Sequence, residues 1–148
     1  MTIPSDEDKL IEALKEHKAL KQWTMKKLQA EGIDCGETYG NDRRGDIRLN
    51  EREKIQQAQS LLAEINLQFN PNSSSQTLNV PEVENPHIEI KTRYIYGNEV
   101  EKAIDKQTVI GLVSASSISK MGKQRLNESG IVCAENVPLG TMACLPGG

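Results

Sequence analysis

The chain has 148 residues, a formal net charge of −3, and 36% hydrophobic and 26% charged residues, but only 3% aromatic ones. It has no apolar run near the roughly 18–20 residues a membrane-spanning helix needs, and its acidic, polar opening Met1–Glu12 does not read as a signal peptide. Its three cysteines, Cys35, Cys133 and Cys144, make no close pair. These features predict a cytoplasmic protein with free thiols, no membrane association and two thin cores, in which any pull toward nucleic acid comes from local charge.

Residues 6–31 are helix-forming, with apolar residues at Leu10, Ile11 and Leu14 and again at Leu20, Trp23, Met25 and Leu28. The step from Leu14 to Leu20 is short of the seven or eight residues of a continuous face, so the spacing predicts a break near His17–Ala19. Gly32 before Ile33 predicts a glycine cap. Residues 34–49 read as a polar loop with a hairpin near Tyr39–Asp42. Asn50 with Glu53 then predicts the start of a helix that runs to Phe69. Ile55, Ala58, Leu62, Ile65 and Phe69 on that helix follow a heptad seam, which suits either pairing of two copies or packing on the domain's own core.

Residues 69–86, rich in Asn, Ser and Pro, read as a linker. The stretch His87–Tyr96 alternates, with Ile88, Ile90, Tyr94 and Tyr96 on one face and His87, Glu89, Lys91 and Arg93 on the other, as a half-buried strand does. A helix is predicted from Asn98 to about Ile110, stopped by Gly111. Another is predicted from a Ser114 cap to about Ser129. The tail Val137–Gly148 reads as irregular and suited to docking on a protein partner. The segment Lys27–Glu37 echoes Arg125–Glu135: both run basic residue, Leu, three residues, Gly, Ile, one residue, Cys, one residue, Glu. Duplication or two uses of one glycine cap would each produce the echo.

The expected fold is therefore mainly α with a minor β-strand element, in two small helical units. Residues 1–68 form an N-terminal helical domain, 69–86 the linker, and 87–148 a strand plus a helical unit with a loose tail.

The segment Gly111-Leu-Val-Ser-Ala-Ser-Ser-Ile-Ser-Lys120 resembles the turn and recognition helix of helix-turn-helix DNA-binding proteins, and Leu14–Ile33 has similar inward spacing at Leu20, Met25 and Leu28. The resemblance implies DNA contacts from Ser114, Ser116, Ser117 and Lys120, with Val113 and Ile118 packed inward. Local charge adds to it: His17–Ala30 holds four Lys and no acid, and Lys106–Asn127 holds three Lys, one Arg and no acid. Lys21, Gln22, Lys26, Lys27, Lys123 and Arg125 join the expected contacts, because phosphate binding needs clustered rather than global positive charge. Arg43, Arg44 and Arg48 fall where a wing would lie, diluted by Asp42 and Asp46.

No Cys/His spacing suggests a metal site, no phosphate loop or nucleophile elbow is present, and no cofactor is implied. The sequence thus predicts a non-catalytic, oligomeric protein that binds double-stranded DNA, of regulatory, phage or mobile-element type. The alternative is a phage or mobile-element assembly or packaging component.

Overall fold

The computed structural model describes residues 6–37, 46–73, 76, 83 and 85–138. The expected hairpin at 39–42, Arg43, Arg44, Cys144 and the tail beyond Pro138 lie outside the described residues. The described elements are α1 (Asp6–Ala30), β1 (Cys35–Glu37), β2 (Ile47–Leu49), α2 (Ile55–Phe69, after a 3-10 turn at Arg52–Lys54), β3 (His87–Lys91), α3 (Gly97–Asp105), β4 (Val109–Ser114), α4 (Lys120–Glu128) and β5 (Val132–Ala134). The strands form one five-stranded sheet in the order β1-β2-β3-β4-β5. The β1–β2 and β2–β3 pairs are antiparallel, whereas β3–β4 and β4–β5 are parallel.

This α+β architecture overturns the expectation of two helical, helix-turn-helix-like units. Strands from both sides of the 69–86 segment share the sheet, with Ile47 opposite Ile88. The segment expected to hold a helix end, a turn and a Ser114 cap is instead β4, buried at every residue. Its run Val-Ile-Gly-Leu-Val-Ser is continuous rather than alternating because helices cover both of its faces, as is usual for parallel strands. The cap of α4 is Ser119, whose hydroxyl accepts from the Gly122 N–H at 3.0 Å. Likewise α1 is unbroken through His17–Ala19, and Asn50 precedes the 3-10 turn rather than capping α2.

Helices α1 and α2 cover one face of the sheet, packing Leu20, Trp23, Leu28, Ile55, Leu62 and Ile65 against Ile88, Ile90, Ile110, Val113 and Val132. Helices α3 and α4 cover the other face, with Val100, Ala103 and Leu126 against Val109, Leu112 and Cys133. Gly111 sets how closely α2 approaches, since a Cβ there would lie 2.3 Å from Leu62 Cδ1. Buried Gln59 fastens α2 down: its amide donates to the carbonyls of Ile110 at 3.1 Å and Gly130 at 2.9 Å.

The echoed segments adopt one local structure twice, at opposite edges of the sheet. Gly32 (φ +78°) ends α1 and Gly130 (φ +77°) follows α4, each in the left-handed region that glycine enters without strain. The Ile33 N–H returns to Leu28 O at 3.0 Å, and the Ile131 N–H returns to Leu126 O at 2.9 Å. Both isoleucines are buried, and buried Cys35 and Cys133 follow in the edge strands β1 and β5.

Candidate functional site

The basic helices do not converge. Lys21, Gln22, Lys26 and Lys27 ride on α1, while Lys120, Lys123 and Arg125 ride on α4 across the sheet. Most are already engaged. Buried Lys21 meets Glu37 at 3.5 Å, and the Lys27 ammonium sits 5.4 Å from the Trp23 ring centre. Lys123 meets Glu135 at 2.9 Å, and Arg125 meets Glu101 at 2.7 Å and Glu128 at 3.3 Å. Gln22, Lys26 and Lys120 are exposed, whereas Ser114 is fully buried and Ser116 and Ser117 are half-buried. Lys120 and Lys123 line a cavity of about 480 Å³ with Asn66, Gln76, Asn127, Cys133 and Glu135.

The expected recognition surface is thus split between two faces of the molecule and neutralised in part by carboxylates. The seam residues Ile55, Ala58, Leu62 and Ile65 are buried against the chain's own sheet, with Phe69 packed beside them, so that face is occupied within one copy. The start of the tail also docks on its own chain: Val137 is buried and its N–H donates to Ser114 O at 3.1 Å.

A different group of residues is brought together where β2 and β3 meet. Glu89, in the middle of β3, is 2% exposed. Period-two alternation puts Lys91 on the same side of the strand, with its ammonium 3.9 Å from Glu89 Oε2. Lys106, just past the end of α3, bonds Glu89 Oε1 from the neighbouring layer. Asp46 stands immediately before β2, and its Oδ1 accepts the Ile90 N–H at 3.4 Å, which fixes it across the β2–β3 pairing.

Burial pushes the Asp46 carboxyl up to about 6, and the negative charge of Glu89 pushes in the same direction; the Ile90 N–H, Lys106 and Lys91 oppose them only in part. His87, at the start of β3, is held below the ordinary imidazole range first by burial, then by Lys106 and Arg48. Its Nδ1 is buried with no hydrogen-bond partner.

Two carboxyl groups crowded together in a partly desolvated place, with two lysines closing on them, differ from an ordinary ion pair. One extra positive charge between Asp46 and Glu89 would relieve their repulsion. Mg²⁺ sites are commonly built from one or two carboxylates, with waters and substrate phosphate oxygens completing the shell. Among the described residues no three His, Cys, Asp or Glu side chains form a metal cluster, so these two carboxylates would need water or substrate as further ligands.

The sequence pattern singles out none of these residues as a site: it reads Asp46 as diluting a basic loop and puts Glu89 and Lys91 on one face of a half-buried strand. The available signal was Glu-x-Lys on one face of a strand, together with an acidic residue opening the preceding strand. No protein-family model matches the chain, and no curated protein or solved structure is significantly similar to it. Among the described residues no helix is long and apolar enough to cross a membrane.

Proposed function

We propose that the chain is a divalent-cation-dependent phosphodiester hydrolase acting on DNA, with Asp46, Glu89 and Lys91 as its active residues. The observation that carries this reading is the crowding of Asp46 against buried Glu89, which lifts the Asp46 carboxyl to about 6 beside two lysines. Perturbed carboxylates with specific charge partners cluster at functional sites, and structural ion networks perturb carboxylates as well.

In this reading Asp46 and Glu89 would hold a divalent cation, which would supply Lewis-acid polarisation of a phosphate oxygen and of the attacking water. Water adds at phosphorus and one P–O ester bond breaks, leaving a phosphate monoester and a hydroxyl group. The Lys91 ammonium faces the charge that builds on the phosphate oxygens, and Lys106 holds Glu89 in place from α3. The expectation of a DNA partner is retained, while that of a non-catalytic protein is replaced.

The test incubates the chain with end-labelled single-stranded and duplex DNA in Mg²⁺, in Mn²⁺ and in EDTA. Cleavage that requires the metal and is lost in Asp46→Asn and Glu89→Gln is the expected result. Cleavage that survives EDTA or Asp46→Asn would overturn the proposal. So would no cleavage of any DNA combined with no heat of Mg²⁺ binding by calorimetry, which would leave the cluster as an ion network tying α3 to β3.

A further inference from the structure

The β1–β2–β3 part of the sheet has two unlike faces. Ile47, Leu49, Ile88 and Ile90 point into the core beneath α1 and α2. Period-two alternation turns Asp46, Arg48, His87, Glu89 and Lys91 to the opposite side, where the register sets Glu89 beside Leu112. Leu112 belongs to the apolar cluster under α3 and α4, which among the described residues includes none from β1, β2 or β3. This part of the sheet therefore presents a polar face, with Asp46, Arg48, His87 and Lys91 half-buried and Glu89 buried within it.

Arg48 stands on that face in a row across three strands. The register puts it between Gly36 of β1 and His87 of β3, and one step further along β2 brings Asp46 beside Glu89. Gly36 offers no side chain to cover the guanidinium, whose Nη2 lies 3.7 Å from where a Gly36 Cβ would stand. The Arg48 Nε donates to Asn50 Oδ1 at 3.2 Å, and Asn50 Nδ2 donates in turn to Asp34 Oδ2 at 3.0 Å. This chain of bonds orients the guanidinium. Five N–H donors in a rigid fork let an arginine keep such a bond and still meet an anion. Its charge reaches the carboxylate cluster, since Arg48, Lys106 and Glu89 all act on His87.

We infer that Arg48 is a second phosphate subsite, taking the phosphate next to the one met by Asp46, Glu89 and Lys91. Asp46 and Arg48 are two residues apart on an extended strand, roughly 6.6 Å at the usual rise. That step suits neighbouring phosphates of a nucleic-acid backbone better than the two of a diphosphate, which share a bridging oxygen and lie far closer. A planar guanidinium also binds phosphate oxygens in pairs, as an ammonium does not. The inference deepens the hydrolase reading, on which the first phosphate rests. It makes the substrate a chain with at least two phosphates in succession rather than a lone phosphodiester.

The test is calorimetry with chain and ligands equilibrated in one Mg²⁺ buffer. The probes are thymidine 5′-monophosphate, thymidine 3′,5′-bisphosphate and inorganic pyrophosphate. The bisphosphate should bind the intact chain about tenfold more tightly than the monophosphate, the gain expected of charge-assisted hydrogen bonds. Arg48→Ala should erase that gain and leave monophosphate binding within about twofold. Arg48→Gln, a milder change that keeps a polar group within reach of Asn50, should erase it too and covers the case in which the alanine variant does not fold.

Equal binding of bisphosphate and monophosphate by the intact chain, or a gain that survives both substitutions, overturns the subsite. A gain with pyrophosphate and none with the bisphosphate overturns the backbone as its source and makes the ligand a diphosphate. DNA cleavage assays keep the two claims apart. An Arg48-dependent gain without metal-dependent cleavage of any DNA leaves the subsite standing and removes the hydrolase; cleavage without the gain does the reverse.

Discussion

Glu89 and Glu135 are both buried, at 2% and 7% exposure, and both meet lysines, yet their surroundings differ in kind. Each carboxylate oxygen of Glu135 has its own donor, Lys123 Nζ at 2.9 Å and the Ile118 N–H at 2.8 Å. Its backbone is held too, with the N–H on Asn66 Oδ1 at 3.2 Å and the carbonyl on Asn70 Nδ2 at 2.8 Å. Glu89 meets two lysines, on side chains 53% and 38% exposed, and it shares its neighbourhood with a second carboxyl group, Asp46. A buried charge tied to backbone donors fixes a loop. A buried charge crowded by one of its own sign costs stability, which is the arrangement expected where binding or catalysis has been favoured over stability.

The widest separation between the two glutamates is in activity. On the hydrolase reading, Asp46→Asn or Glu89→Gln should lower metal-dependent DNA cleavage by on the order of 10³-fold, since a bound metal would supply several kcal/mol of transition-state stabilisation. Glu135→Gln should leave it within about threefold, because Glu135 acts on a loop rather than on the metal. Comparable losses in the two sets, measured at saturating Mg²⁺, would erase the distinction.

Stability should move in the opposite direction. Asp46 titrates at about 6 in the folded chain against 3.8 for its ordinary value. As pH rises through 4 the unfolded chain gives up this proton first, so the native state is progressively penalised between about pH 4 and 6 and carries the whole penalty above that. The penalty is up to about 3 kcal/mol. Asp46→Asn can keep accepting the Ile90 N–H while removing the charge, so it should raise the urea midpoint at pH 7.5 and leave it unchanged at pH 3.5. An equal gain at both pH values would mean that charge crowding is not its source.

Glu135→Ala should destabilise by about 2 kcal/mol at pH 7, because it strands the buried Ile118 N–H. The two carboxylate systems are thereby assigned opposite signs: removing the Asp46 charge stabilises, and removing the Glu135 side chain destabilises. Urea unfolding of the two variants in one buffer decides it.

What the sequence disclosed follows from how local each feature is. The two glycine caps, the end of α2 at Phe69 and the start of a strand at His87 depend on residues within a few positions of one another, and each could be read directly. Strand β4 could not, because a short continuous apolar run covered on both faces has no period to distinguish it from a helix end. The helix-turn-helix resemblance fell on this ambiguous stretch. The basic stretches were real as composition, but Lys21, Lys123 and Arg125 are matched by Glu37, Glu135 and Glu101, partners that only the fold brings near. The carboxylate cluster depends on the same kind of long-range pairing: Asp46 and Ile90 lie 44 positions apart and meet through the β2–β3 register.

The smallest expected effect tests whether the two lysines belong to separate systems. Lys106 lowers the titration of both Asp46 and His87 through its charge, after the larger influence of burial on each. Replacing it by methionine removes that charge and keeps most of the side chain's length. Carboxyl and imidazole titrations followed by NMR should then move upward together by about half a pH unit, a shift suited to one charge acting across a partly hydrated gap. Lys123→Met should move neither, since it removes charge from the Glu135 network on the far side of β4. If Lys123→Met shifts Asp46 as much as Lys106→Met does, the two buried glutamates share one electrostatic field, and the contrast between an anchored carboxylate and a crowded one fails.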